Sequence, residues 1–582
     1  MPVLSVAEIL PGATLGLFSG IDDILVLDFN GTRVLYALNR AENRVLEVSL
    51  SATGQMTFAD SLQFAGTVAA GTEPRLTEGM TASGDVFLTV SGLSAQDGQT
   101  VTLSPTGALG TQAPLTGVGM LDQAVPLAVG ASSVLVSADG GGGLLSFWDD
   151  GQGYSAGPAL ADTADRYLAD ISGTVQFLAG GVPYVATVSA TEHGVNVASV
   201  QQSGLTHTGA IGATDTLPIS VPEDIAAVTQ FGETWLFVAS QGTSSLSVLR
   251  VADGVPHLAD HVYDNAVTRF QGASEVAAAT YGDMAYVAVG GAEGGISLFT
   301  MLHDGRLVHL DSVAEDETVP LNQIAALEMF ATGTTVHVVV GSGNEVGLTR
   351  LTYDMSQSGS VVSASSDGNG ATGTSLDDQI VGSVAGEALS GLAGDDILVD
   401  GLGNDTLTGG SGADLFVLTA DGQGDTITDF ELGSDRLDMS AFDFLYDVSQ
   451  VTIAPTATGA TLTFGDETLH VTTADLTPLT AGSLTTQDIL NLDRPPFLSI
   501  GREISGTESA DLLNGGPGAD TISGLGGDDR LVGGPGLDVL LGNAGNDTLE
   551  GEGAEDTLYG GLGDDLLFGG DSDDLIYGDD WA

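Results

Sequence analysis

From Gly506 onward the sequence keeps a nine-residue beat. The units read GTESADLLN, GGPGADTIS, GLGGDDRLV, GGPGLDVLL, GNAGNDTLE, GEGAEDTLY, GGLGDDLLF and GGDSDDLIY. The sixth residue is always aspartate: Asp511, Asp520, Asp529, Asp538, Asp547, Asp556, Asp565 and Asp574. The eighth is always Leu or Ile. Neither a helix nor an antiparallel strand pair repeats on a count of nine, so the beat restricts the fold more than any other feature.

The first six positions of a unit are mostly Gly and Asp, so they turn. The last three, such as Thr521-Ile522-Ser523, alternate and form a short strand with one apolar side chain inward. Turn plus strand, repeated, is a parallel β-roll. Calcium takes six to eight oxygens. A glycine loop exposes carbonyls and the aspartate adds a carboxylate, so two neighbouring loops can surround an ion where one cannot.

The pattern GGxGxDxUx resembles the RTX (haemolysin-type) calcium-binding repeats. The beat also runs earlier, from Gly373: GTSLDDQIV, GSVAGEALS, GLAGDDILV, DGLGNDTLT and GGSGADLFV. Here Glu387 replaces the aspartate and Leu376 a loop glycine, so the first loops are expected to bind ions poorly or to act as a cap. The resemblance implies carboxylate ligands at Asp378, Asp396, Asp405, Asp414, Asp511, Asp520, Asp529, Asp538, Asp547, Asp556, Asp565 and Asp574. It implies loop carbonyls from Gly515, Gly516, Gly518, Gly524, Gly526, Gly533, Gly534, Gly536, Gly542 and Gly545. Each ion would lie between loops two repeats apart on one edge of the roll, with roughly ten Ca2+ ions in all. Ala554 and Ser572 replace a loop glycine beside Asp556 and Asp574.

Between the repeat blocks, LFVLTADGQGDTITDFELGSDRLDMSAFDF resembles the segment that caps RTX rolls in serralysin-like secreted proteins, through Phe430, Gly433, Asp435, Leu437, Asp438 and Ser440. A hairpin is expected around Gly465-Asp466, and a stiff connector at Pro495-Pro496.

Residues 1–353 carry a longer period. A turn Gly, a strand, a polar loop and a second strand recur from Gly31, Gly84, Gly130, Gly181, Gly232, Gly282 and Gly333. An apolar segment precedes each Gly, and several units end in a hairpin tail such as DGRLVHLDSV. Seven units of about fifty residues and four strands describe a seven-bladed β-propeller. Its blades resemble those of lactonase-type propellers.

The expected architecture is therefore all-β: a propeller (1–353), a linker (354–372), a first roll (373–418), a β-rich cap (419–492), a connector (493–505) and a second roll (506–582).

Formal net charge is −65, and all thirteen basic residues are Arg. That disfavours nucleic acid and anionic membranes and favours metal cations. There is no Cys, so no disulfide forms. No cleavable signal is read at the N-terminus and no run is long and apolar enough to span a membrane. The RTX resemblance implies export to the exterior by type I secretion machinery, with an unknown extracellular ligand for the propeller.

An HExxH motif and a strand–GxSxG–helix elbow are both missing from the sequence. Asp22, Asp23, Glu192 and Asp283 fit either a channel lining or solvated turns. His257 and His261 read as surface residues, and His337 as a packed or edge residue. Two functions follow: a secreted calcium-binding protein with an interaction propeller, or a secreted hydrolase with a lactonase-like propeller and the rolls serving export and folding.

Overall fold

The computed structural model describes the chain except residues 1–2, 11–17, 19, 65–73, 81–85, 92–97, 116–117, 119–120, 131, 140–141, 150–153, 164, 214–216, 317, 366–367, 443, 466, 495–502, 508, 516–519, 536–537, 554–555, 572–573 and 580–582. The chain forms two compact units, divided between Ser356 and Gln357.

The first unit is a seven-bladed propeller. Its innermost strands are Ile21–Phe29, Arg75–Met80, Asp122–Val129, Ile171–Ala179, Pro222–Gln230, Ala273–Tyr281 and Ile324–Thr332, and each packs on the next around a closed ring. Every blade is an antiparallel sheet. The second strands, such as Glu233–Ser240 and Met284–Gly291, are buried almost end to end, because neighbouring blades cover both their faces. Tight turns join first to second strands. At Asn30 (φ 56°) and Gly31 (φ +87°) both turn residues are left-handed, which matches the twist of the flanking strands.

The seventh blade is assembled from both ends of the unit. Its strand order is Ser5–Leu10, Leu348–Asp354, Thr335–Ser342, Ile324–Thr332. Glu8 carries the join: its Oε2 accepts the Met56 N–H at 2.9 Å and faces Arg350 Nη2 at 3.3 Å.

The second unit contains two parallel rolls. In the second roll, successive nonapeptides alternate between two sheets, so strands pair in register with those 18 residues on: Ile522 with Leu540, and Leu531 with Leu549. The eighth-position side chains Ile522, Leu531, Leu540, Leu549 and Leu558 form a buried core, with Ile504, Leu513 and Leu567 packed against it. Several strands run six residues, such as Thr548–Gly553, continuing past the expected three into the next loop.

The first roll is built alike and has a larger core, because the segment after it packs on its end. Strand Glu467–Thr473 lies parallel to Gly424–Phe430 and carries the hairpin to Gly459–Phe464; Gly465 sits at its turn, and Asp466 lies outside the described residues. The segment expected as a linker contributes a rung: Ser358–Ser363 pairs in parallel with Asp377–Val381, setting Val362 opposite Ile380. Its Ser- and Gly-rich composition hid one alternating apolar position. Pro495 and Pro496 lie outside the described residues.

Candidate metal centre

Alternation between two sheets places the loops of each roll on two edges, so the carboxylates form two files rather than one. In the second roll, Asp511, Asp529, Asp547 and Asp565 make one file and Asp520, Asp538, Asp556 and Asp574 the other. Within a file each main-chain N–H donates to Oδ1 of the aspartate one coil on, at 2.7–3.0 Å. In the first roll the files run Asp378–Asp396–Asp414–Asp435 and Glu387–Asp405–Asp425. Each aspartate thus locks one coil to the next through one oxygen.

In seven of these aspartates the other oxygen is the chemically open one. Asp396, Asp405, Asp414, Asp520, Asp529, Asp538, Asp547 and Asp556 are only 0–3% exposed. Asp565 is half-buried. For Asp396, Asp405, Asp414, Asp529, Asp547, Asp556 and Asp565, Oδ2 meets no hydrogen-bond donor among the described residues. A buried carboxylate oxygen without a donor is costly unless a cation supplies the charge.

The first glycine of each loop completes the cradle. A methyl group on Gly524, Gly542, Gly551 or Gly560 would lie less than 3.0 Å from Oδ2 of the aspartate in its own loop. It would also lie less than 3.0 Å from the carbonyl oxygen of the glycine one coil on: Gly542, Gly560, Gly569 or Gly578. The same holds at Gly515 with Asp520 and Gly533, at Gly533 with Asp538 and Gly551, and in the first roll at Gly391 with Asp396 and Gly409. Each cradle joins a carboxylate oxygen to main-chain carbonyls, the hard-oxygen donor set calcium prefers. No group of three or more His, Asp or Glu side chains converges among the described residues, so carbonyls must supply much of any coordination.

Electrostatics agree. Burial pushes Asp396 and Asp414 up to about 7 and Asp405 up to about 8. Burial also raises Asp556 to about 6, and raises Asp529 and Asp547. Neighbouring aspartates in the file add to the shift, as Asp378 does for Asp396. A divalent cation between the coils would remove this penalty and keep the carboxylates ionised.

The sequence model of the RTX calcium-binding nonapeptide repeat matches this chain at residues 386–421, 505–540, 532–567 and 551–580. The chain carries RTX calcium-binding repeats. No curated protein matches its sequence. Similar solved structures include BBS1N in complex with ARL6DN, at 10% identity and TM-score 0.41, covering 61% of this chain and 98% of that one. Another is a functionally unknown protein from Desulfotomaculum acetoxidans, at 13% identity and TM-score 0.38, covering 54% and 98%. A third, from Lactobacillus plantarum, has 15% identity and TM-score 0.38, covering 51% and 84%.

The RTX loops do not treat all the expected ligands alike. Asp378 and Asp511 have donors on Oδ2 from within their own loops. Asp574 is half-buried, and a methyl on Gly569 would meet its Oδ2. Gly526 bridges Ala544, Gly534 pairs with Glu552, and the Gly545 N–H bonds Leu562. Gly516, Gly518 and Gly536, with Ala554 and Ser572, lie outside the described residues. Sequence reasoning named Asp435 only as part of the cap motif and missed Asp429, and both finish the first RTX roll. Asp435 accepts the Asp414 and Glu431 N–H groups; Asp429 accepts those of Gly409 and Gly410. In the cap motif Phe430 and Leu437 are buried, and Asp438 accepts the Ser440 N–H at 2.9 Å.

The propeller gathers charge in its channel. Six of its seven innermost strands start with a register shift. Arg75 on the second blade faces Asp224 on the fifth, and its Nη1 donates to Gln123 on the third at 2.7 Å. Burial pushes Asp23 up to about 7 and Glu328 up to about 8. Asp22 and Glu192 accept loop amides instead, and Asp283 is exposed. His261 is not at the surface as expected but fully buried, because its strand turns it onto Ser247 inside the blade, and His337 bonds Thr332 and Arg350.

Proposed function

We propose that this is a secreted calcium-binding RTX protein whose rolls fold when they meet calcium outside the cell, beside a propeller that acts as a binding or structural module. The observation that carries the reading is the row of buried Oδ2 atoms without donors, those of Asp396, Asp529, Asp547, Asp556 and Asp565 lying beside a carbonyl one coil away. A cation is the simplest group that satisfies both. Among the described residues the core of the second roll holds one or two apolar side chains per nonapeptide, which is little against the entropy of ordering nine residues. Ion binding then contributes much of the folding free energy. Roughly ten ions would offset about twenty negative charges.

Rolls with this property stay unfolded where calcium is scarce and fold where it is abundant, which suits passage through a type I secretion channel. The helices among the described residues offer none long and apolar enough to cross a membrane. A channel crossed by the Arg75–Asp224 pair supports an interaction disc more than an open catalytic funnel.

The test uses the full chain in chelator and in millimolar calcium, followed by circular dichroism and limited proteolysis. Residues 357–582 are expected to be cleaved rapidly in chelator and protected in calcium, while residues 2–356 resist in both. Equal cleavage of the rolls in both conditions would overturn the reading.

A further inference from the structure

The second residue sorts eleven of the loops into two kinds. In one kind it lies in the left-handed region: Leu392 (φ 80°), Gly401 (90°), Gly410 (110°), Leu525 (71°), Gly534 (104°), Asn543 (70°), Gly561 (102°) and Gly570 (109°). That backbone turns the second N–H away from the loop's own aspartate; the Gly410 N–H, for example, goes to Asp429. In the other kind the second residue carries a hydroxyl and stays outside the left-handed region: Thr374, Ser383 and Thr507.

In these hydroxyl loops the carboxylate is already coordinated by its own loop. Thr374 donates to Asp378 Oδ2 through its N–H at 2.6 Å and its Oγ1 at 2.8 Å. Oδ1 of Asp378 accepts the Ser360 N–H at 2.6 Å. Thr507 donates to Asp511 Oδ2 in the same two ways, at 2.6 and 2.9 Å. Ser383 donates to Glu387 through its N–H at 3.1 Å and through its hydroxyl. At Asp378 and Asp511 both donors occupy the oxygen that faces the cation cradle elsewhere, while at Glu387 the Ser383 N–H meets Oε2 and the hydroxyl meets Oε1. The hydroxyl loops are the first two of the first roll and the first of the second.

We infer that the second loop residue decides whether a loop takes a calcium ion, and that Asp378, Glu387 and Asp511 are cation-free caps held by Thr374, Ser383 and Thr507. Each roll then begins with a calcium-independent loop, on which the calcium-filled coils are stacked. The inference rests on the calcium reading of the rolls given above.

Calcium bound per full-length chain, measured by equilibrium dialysis, tests it. Asp511→Asn and Asp378→Asn are expected to leave the count unchanged, whereas Asp547→Asn and Asp396→Asn each lower it by at least one. Thr507→Gly, which removes the hydroxyl donor and lets a left-handed turn carry the N–H away from Asp511, is expected to raise the count by one. Thr507→Ser keeps the hydroxyl and should match the parent, which separates a gained site from a loosened roll. A count that falls as far in Asp511→Asn as in Asp547→Asn, or one unmoved by Thr507→Gly, overturns the inference and leaves calcium binding standing. A parent chain that binds no calcium overturns the functional reading itself.

Discussion

Arg75 and Asp224 meet across the channel of the propeller, with Nη2 and Oδ1 3.5 Å apart, although their blades are three steps apart in a ring of seven. No two blades of such a ring can be farther apart. The guanidinium also lowers the cost of ionising Asp23 and Glu328, which burial opposes. Removing it leaves three acids in a partly buried channel. Arg75→Met is therefore expected to destabilise the propeller by about 3 kcal/mol. Denaturant unfolding in constant calcium measures this, and an unchanged midpoint would mean the pair is inert.

Acid should do in part what calcium does. Asp396, Asp405 and Asp414 have folded-state pKa values raised to about 7–8. The stability they contribute in chelator is full below the ordinary carboxylate range and is lost as pH rises through 7–8. Protease resistance of the first roll in chelator is expected to be higher at pH 5 than at pH 8. With calcium the sign reverses, because the cation needs ionised carboxylates: affinity weakens as pH falls below about 7. A calcium affinity independent of pH between 5 and 8 would contradict this.

Gly542 tests the cradle without touching a carboxylate. Its φ lies outside the left-handed region, so alanine fits the backbone, but the new methyl would press on Gly560 O and Asp547 Oδ2. Gly542→Ala should lower bound calcium by one and raise the calcium midpoint for folding. Gly31→Ala, in a propeller turn with open space around it but φ +87°, should cost about 1 kcal/mol of propeller stability and leave calcium binding alone.

Closure of the ring rests on Glu8. Glu8→Gln keeps the shape and the Met56 acceptor but removes the charge facing Arg350, which is itself buried. The expected loss is about 1–3 kcal/mol, seen as a lower propeller melting temperature with roll folding unaffected.

Much of this was legible in the sequence. The nine-residue beat sets which residues face the core and which aspartates stack, because each side chain returns to the same place in every second unit. The fifty-residue beat likewise gives the blades. Two things were not legible. Strand Ser5–Leu10 belongs to the last blade, and its sequence SVAEIL resembles any short strand; the usable sign was that the unit from Gly333 has no hairpin tail. The expected ligands Asp378 and Asp511 turn out to be held by Thr374 and Thr507. A sixth-position aspartate looks the same whether a cation or a hydroxyl meets it, and only the threonine four residues earlier marks the difference.

Building one blade from both ends of a domain also sets a clock. Glu8 and Arg350 are 342 residues apart, so bringing them together costs about 5 kcal/mol in loop-closure entropy if nothing between them has ordered. Earlier blades must first shorten that loop. At ordinary synthesis speeds the partner strand Leu348–Asp354 follows Ser5–Leu10 by roughly 20–70 s. Throughout that interval the nascent disc is an open arc with an unpaired edge, so the sealed ring is the last state the domain reaches.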